Sequence, residues 1–145
     1  MKKNEQGKWI IATSEELLEL QKNSNLWDDH FLQTEDIDME GIEFFPIGNE
    51  VVMFNGSYDG NGNFIRNLKI NCPRMAGVGL FGWTDEKANI QGILLSKCEI
   101  IGADAVGGIV GFNQGGRIEF CVAQRSIGSD SIFCKCRQYC RLQLR

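Results

Sequence analysis

Apolar and polar positions along this chain change their rhythm near residue 40, and the change separates a helix-bearing start from a repetitive remainder. Over residues 13–22, Thr-Ser-Glu-Glu-Leu-Leu-Glu-Leu-Gln-Lys, the pattern predicts the one convincing helix. Thr13 and Glu16 stand at capping-box separation, and Glu15 and Glu16 fall where the positive end of the helix dipole favours acids. Leu17, Leu18 and Leu20 form its apolar stripe, joined by Leu26 and Trp27 beyond the helix, and Asn23-Ser24-Asn25 ends it. A short strand around Phe31-Leu32-Gln33-Thr34 follows. Asp36-Ile37-Asp38-Met39 then alternates in a way that gives a strand with one buried face.

From residue 40 onward the chain repeats itself. Ile65-Arg66-Asn67-Leu68-Lys69-Ile70, Ile90-Gln91-Gly92-Ile93-Leu94-Leu95 and Ile118-Glu119-Phe120-Cys121-Val122-Ala123 share one template and start at similar intervals. Gly79-Leu80-Phe81-Gly82-Trp83 recurs as Gly108-Ile109-Val110-Gly111-Phe112, one comparable interval further on. A period of roughly 25–29 residues marks a solenoid. The segments are too short and too broken by glycine for helical repeats, so they read as strands with bends between them. One coil per period, each stacked on the last at about 4.8 Å, makes a parallel β-helix. Glycines turn its corners, where φ is positive or a Cβ would clash. The expected fold is all-β: a right-handed parallel β-helix of about four coils with the residue 14–22 helix capping its N-terminal end. Leu17, Ile37, Ile47, Leu68, Ile70, Leu80, Phe81, Ile93, Leu95, Ile109, Val110 and Ile118 are expected in the core.

Composition bounds this picture. At 145 residues the chain makes a single domain, 1–145. Within it the reading separates a cap helix and first strands (9–45), coils (46–125) and an atypical Cys-rich basic tail (126–145). With 43% hydrophobic residues and no run of 18 apolar ones, neither disorder nor a membrane-spanning helix is expected. No apolar stretch follows the basic start, so the chain as written is expected in the cytoplasm. As a fragment of a larger exported protein it belongs at the cell surface. Six cysteines, none before Cys72, fit reduced thiols at least as well as a disulfide framework. Charge is uneven: residues 1–60 carry four lysines and 13 acids, and residues 61–145 carry 11 basic residues and six acids. The first part repels a polyanion, which disfavours direct nucleic-acid binding and leaves a protein as the expected partner.

Gly79-Leu80-Phe81-Gly82 and Val106-Gly107-Gly108-Ile109-Val110-Gly111, each followed by an Ile-x-x-apolar strand, resemble the repeats of the GLUG motif family. The upstream stretch is similar to what precedes such repeats in bacterial surface proteins. It runs from Ile11-Ala12-Thr13-Ser14-Glu15-Glu16-Leu17 through Asp36-Ile37-Asp38-Met39 and Pro46-Ile47-Gly48 to Phe54-Asn55-Gly56-Ser57-Tyr58-Asp59-Gly60-Asn61-Gly62. The resemblance covers roughly residues 9–125. It implies a bacterial surface-protein-like β-helix repeat acting as an adhesion or spacer module in large exported proteins.

Candidate chemistry is sparse. Glu35, Asp36, Asp38, Glu40 and Glu43 form the one dense carboxylate cluster and the candidate binding face. Paired acids of a carbohydrate-active β-helix would need a cleft and one raised pKa, whereas Asp36 and Asp38, two apart on a strand, read as a solvated face. Asp59-Gly60-Asn61-Gly62-Asn63 alternates oxygen ligands like a calcium loop, but Phe64 and Ile70 stand where that loop wants Gly and Glu, so it reads as a turn. Cys134-x-Cys136-x3-Cys140 lacks zinc-ribbon spacing, and His30 is the single histidine. Gly77-Val78-Gly79-Leu80-Phe81-Gly82 has nucleotide-loop spacing without a surrounding βαβ unit. Trp27, Phe44, Phe45, Trp83 and Phe112 are expected mostly in the core, with one or two left outside as a binding anchor. The expectation is a non-enzymatic, adhesion-type protein-binding module with no catalytic residue, metal or cofactor and no membrane contact. Two alternatives stand beside it: a small intracellular inhibitor of phage type, whose acidic face blocks a nucleic-acid enzyme, and a carbohydrate-active β-helix.

Overall fold

A computed structural model describes residues 1–124, so the Cys134–Cys140 motif and the expected tail cap lie outside the described residues. Helix α1 (Ser14–Lys22) starts where its capping residues dictate. The Glu16 amide donates to Thr13 Oγ1 at 3.2 Å, and the Ala12 amide donates to Glu16 Oε1 at 2.9 Å. The first satisfies a donor that a helix start otherwise leaves open, and the second ties the residue before the cap to the first turn. Leu17 and Leu20 are fully buried, while Leu18 packs only partly against the core. The Trp27 indole N–H donates to the Leu20 carbonyl at 2.9 Å and closes the last turn. No helix among the described residues is long and apolar enough to cross a membrane.

Strand β1 (Lys2–Lys3) folds back antiparallel on β2 (Trp9–Ile11), and the later strand pairings are parallel. After α1 come β3 (His30–Gln33) and β4 (Ile37–Asp38). One full coil then runs through β5 (Ser57–Asp59), β6 (Phe64–Arg66), β7 (Lys69–Val78) and β8 (Phe81–Thr84). The next repeats it as β9 (Asn89–Gln91), β10 (Leu94–Ser96), β11 (Glu99–Val106) and β12 (Val110–Asn113), followed by β13 (Arg117–Glu119) and β14 (Val122–Gln124). One face is the sheet β1-β2-β3-β5-β9-β13, a second is β4-β6-β10-β14, and β7 pairs β11 as β8 pairs β12. The result is a β-solenoid of about three turns.

Three turns, rather than the four expected, follow from the register. Ile65 and Ile90 share a sequence template but lie on different sheets, so the interval between them is not one coil. Ile65 instead stands beside Leu95, and Tyr58 beside Ile90, so each true coil is longer than that interval. Ile90 in turn lies beside Ile118. The glycine boxes do mark a true coil, since Phe81 pairs with Val110 and Trp83 with Phe112. One corner stacks Gly62, Gly92 and Phe120, with φ of 74°, 70° and 54°. The first two positions take glycine because a side chain is strained in that left-handed region.

Eleven of the twelve expected core residues are buried. Val110 is half-buried, because it lies on the last described turn with β8 on one side alone. Aromatic rings fill the first turns, with Phe54 4.7 Å from Phe81 and Tyr58 5.7 Å from Phe81, centroid to centroid. Buried Tyr58 donates its hydroxyl to Gln33 Oε1 at 2.9 Å, and Gln33 Nε2 donates to the carbonyls of Glu35 and Phe64. Burial and the neighbouring Asp59 charge hold the Tyr58 phenol well above its ordinary pKa. Ile90→Ala, which empties a fully packed central site, should cost about 2–5 kcal/mol. Val110→Ala should cost less than half as much, and urea unfolding of the two variants measures the difference.

Candidate functional site

Beside β7 the solenoid ladder is incomplete. The preceding turn meets the next coil at Ile47, which bridges Phe81, and at Phe54, which bridges Thr84, but residues 41–46 form no strand. Among the described residues, strand β7 therefore has β11 on one edge and no strand on the other. A groove of about 890 Å³ opens there, with Phe45, Val51, Val52, Met75 and Trp83 as its apolar lining and Asn49, Glu50, Asn71 and Arg74 among its polar points. A smaller recess of about 380 Å³ shares Phe45 and Asn71 with it and reaches Gly41, Glu43 and Lys69.

Local chemistry holds each wall. The Asn49 side chain accepts the amides of Val51 and Val52 at 2.9 and 2.8 Å, and the Asn49 amide donates to the Val52 carbonyl. This tight turn presents Val51 at 86% exposure. On the other wall the β7–β11 register slips after Cys72–Gly102 and resumes at Ala76–Asp104. Pro73, Arg74 and Met75 bulge out opposite Ala103 alone, and Pro73 has no N–H to lose from the ladder. The Trp83 indole donates to the Ala76 carbonyl at 3.1 Å and lies 4.4 Å from the Phe112 ring. Gly77, at φ 77°, is obligatory beneath that indole, since any Cβ there would strike the ring. Among the described residues, four of the six exposed large apolar side chains (Phe45, Val51, Val52 and Met75) line this one groove. Contiguous apolar exposure of this kind marks interaction surfaces.

The five acids singled out from the sequence are all exposed but do not converge. Asp36 accepts the Phe64 amide at 2.8 Å and pairs with Arg66 at 3.2 Å. Asp38 accepts from Asn67 Nδ2 at 2.8 Å and from the Glu40 amide. These bonds hold both carboxyls below their ordinary pKa, for Asp36 chiefly the Phe64 amide and for Asp38 chiefly Asn67. A general acid needs the reverse shift. Glu43 alone of the five reaches the recess beside the groove.

The remaining sequence candidates have local structural roles. Asp59 Oδ1 accepts the Asn61 amide at 2.8 Å, and Asn63 Nδ2 donates to the carbonyls of Gln33 and Gly60, so that segment is a hydrogen-bonded corner. His30 Nδ1 lies 2.7 Å from Ser57 Oγ on the surface. In the Gly77–Gly82 segment, Leu80 and Phe81 donate to the carbonyls of Gly108 and Ile109 in the next coil. Trp27 and Phe44 are buried, whereas Phe45 and Phe112 are exposed. Cys72 and Cys121 are buried thiols whose pKa burial pushes up, that of Cys121 to about 11. Among the described residues no three His, Cys, Asp or Glu side chains gather as a metal site. Sequence reasoning passed over Val51, Val52 and Met75. The available signal was an apolar Val51-Val52-Met53 run directly after the turn-forming Asn49.

Carboxyl NMR titration should place Asp36 and Asp38 below the usual carboxylate midpoint. Because their folded-state values are lowered, their stabilising contribution is full above the unfolded-state pKa and is lost as pH falls through the folded one. Asn67→Gly keeps the left-handed backbone at φ 59° while removing the amide. It should return Asp38 toward the ordinary value and leave Asp36 low.

No protein-family model matches this chain, and no solved structure matches it. Among curated proteins it is similar to halomucin of Haloquadratum walsbyi (strain DSM 16790 / HBSQ001), at 30% identity over 116 residues. That match covers 74% of this chain, which spans 1% of the length of halomucin.

Proposed function

We propose that this chain is a non-enzymatic, surface-type β-solenoid module that holds a protein partner in the groove beside β7. The clustering of Phe45, Val51, Val52 and Met75 around one groove carries the reading. The likeness to a short stretch of halomucin, a surface protein, supports the setting. The coil-spaced glycine boxes support assignment to GLUG-type repeats, whose role as adhesion modules agrees with a groove that binds. Asp36 and Asp38 use their hydrogen bonds to hold β4 against β6, so the binding surface is assigned to the groove rather than to the acidic face.

The test compares retention of a surface-extract protein by the wild type and two sets of variants. Val52→Asp and Met75→Asp should each weaken retention roughly ten- to a hundredfold, the worth of one apolar side chain losing its burial. Their circular dichroism should be unchanged. Glu35→Lys with Glu40→Lys should leave retention intact. Retention lost only on charge reversal, or polysaccharide cleavage abolished by Asp38→Asn, would overturn the assignment.

A further inference from the structure

We infer that the groove takes an extended, acid-flanked peptide segment of the partner as an added β-strand on the free edge of β7. The inference rests on the groove being the binding surface and names what it binds. In a parallel strand, successive residues aim their main-chain groups at opposite edges. The Glu99 amide donates to the Leu68 carbonyl, so residues 68, 70 and 72 address β11. Lys69 and Asn71 therefore direct their N–H and C=O toward the recess they line, where no strand accepts them among the described residues. Both residues are exposed. An unpaired main-chain edge next to an apolar trough is the arrangement that strand addition uses: main-chain bonds supply affinity and the trough seats alternate side chains.

Charge selects the occupant. Over Lys69–Val78 the strand carries Lys69 and Arg74 and no acid, while the acids Glu43 and Glu50 belong to the facing wall, so the charges on the free edge itself are cationic. A second copy pairing through the same edge would set these cations against each other, and like charges opposite one another are unfavourable. A segment with acids flanking alternating apolar residues has the opposite sign where it needs it.

The test uses the peptide acetyl-Glu-Val-Thr-Val-Thr-Val-Glu-amide with the full chain, read by fluorescence anisotropy and amide hydrogen exchange. Binding should slow exchange at Lys69 and Asn71 by about tenfold or more. Backbone N-methylation of the peptide at one set of alternate residues should weaken binding about tenfold, and at the other set should leave it unchanged. Replacing both peptide glutamates by lysine should weaken it further, and Arg74→Glu should reverse that preference. Binding that Met75→Asp abolishes, but that neither protects those amides nor responds to N-methylation phase, overturns strand addition and leaves the groove reading standing. No binding by a protein whose retention of its partner still depends on Val52 and Met75 does the same. A dimer in sedimentation that Arg74→Glu alters would instead make a second copy the occupant and overturn the inference.

Discussion

Parallel in-register pairing forces like positions of successive turns into columns, and the rest of this structure depends on that constraint. Phe31, Tyr58, Ile90 and Ile118 make one column, and Ile37, Ile65, Leu95 and Ala123 another. Most of the strands in these columns are too short to be stable alone. Each inward side chain gains burial because the coils above and below place side chains against it. Side chains shrink along both columns, from rings to branched aliphatics in one and from branched aliphatics to alanine in the other. The coil step does not follow that trend: it is longest in the middle, from Tyr58 to Ile90, and shorter both from Phe31 to Tyr58 and from Ile90 to Ile118.

The same constraint explains the groove. A ladder that leaves out one strand exposes both a main-chain edge and the apolar flank that the missing strand would have covered. Residues 41–46 leave the ladder, and Ile47 rejoins it. Phe44 remains fully buried and anchors the departing segment, while Phe45 turns outward. On the facing wall the bulge at Pro73–Met75 and the Trp83–Phe112 pair complete a surface whose shape comes from backbone irregularity rather than from a dedicated domain.

Much of the fold was legible because solenoid columns leave a direct trace in sequence. The glycine boxes and the Leu68, Ile70 and Cys72 alternation encode corners and an inward face, and Thr13 with Glu16 encodes the helix start. Coil length was less legible. Ile65 and Ile90 both precede a bend, and the sequence pattern around a bend does not say which sheet the strand belongs to. The groove was harder still, because a missing ladder pairing is a non-local property: nothing in Lys69-Ile70-Asn71 reports that its neighbour across the coil has turned away. The acids drew attention by density, yet their geometry shows Asp36 and Asp38 bonded to their own solenoid.

Columnar stacking also fixes how the molecule carries load. Each turn touches chiefly the turn before and the turn after it. Tension drawn along the chain through the last described strands would meet the short β10–β14 and β9–β13 ladders first, while the earlier turns stayed closed. Extension would then proceed turn by turn, each step releasing roughly 9–11 nm of chain at about 3.3–3.6 Å per residue. A repeat protein at an exposed surface would thereby yield in small increments, dissipating a pull instead of failing at one threshold.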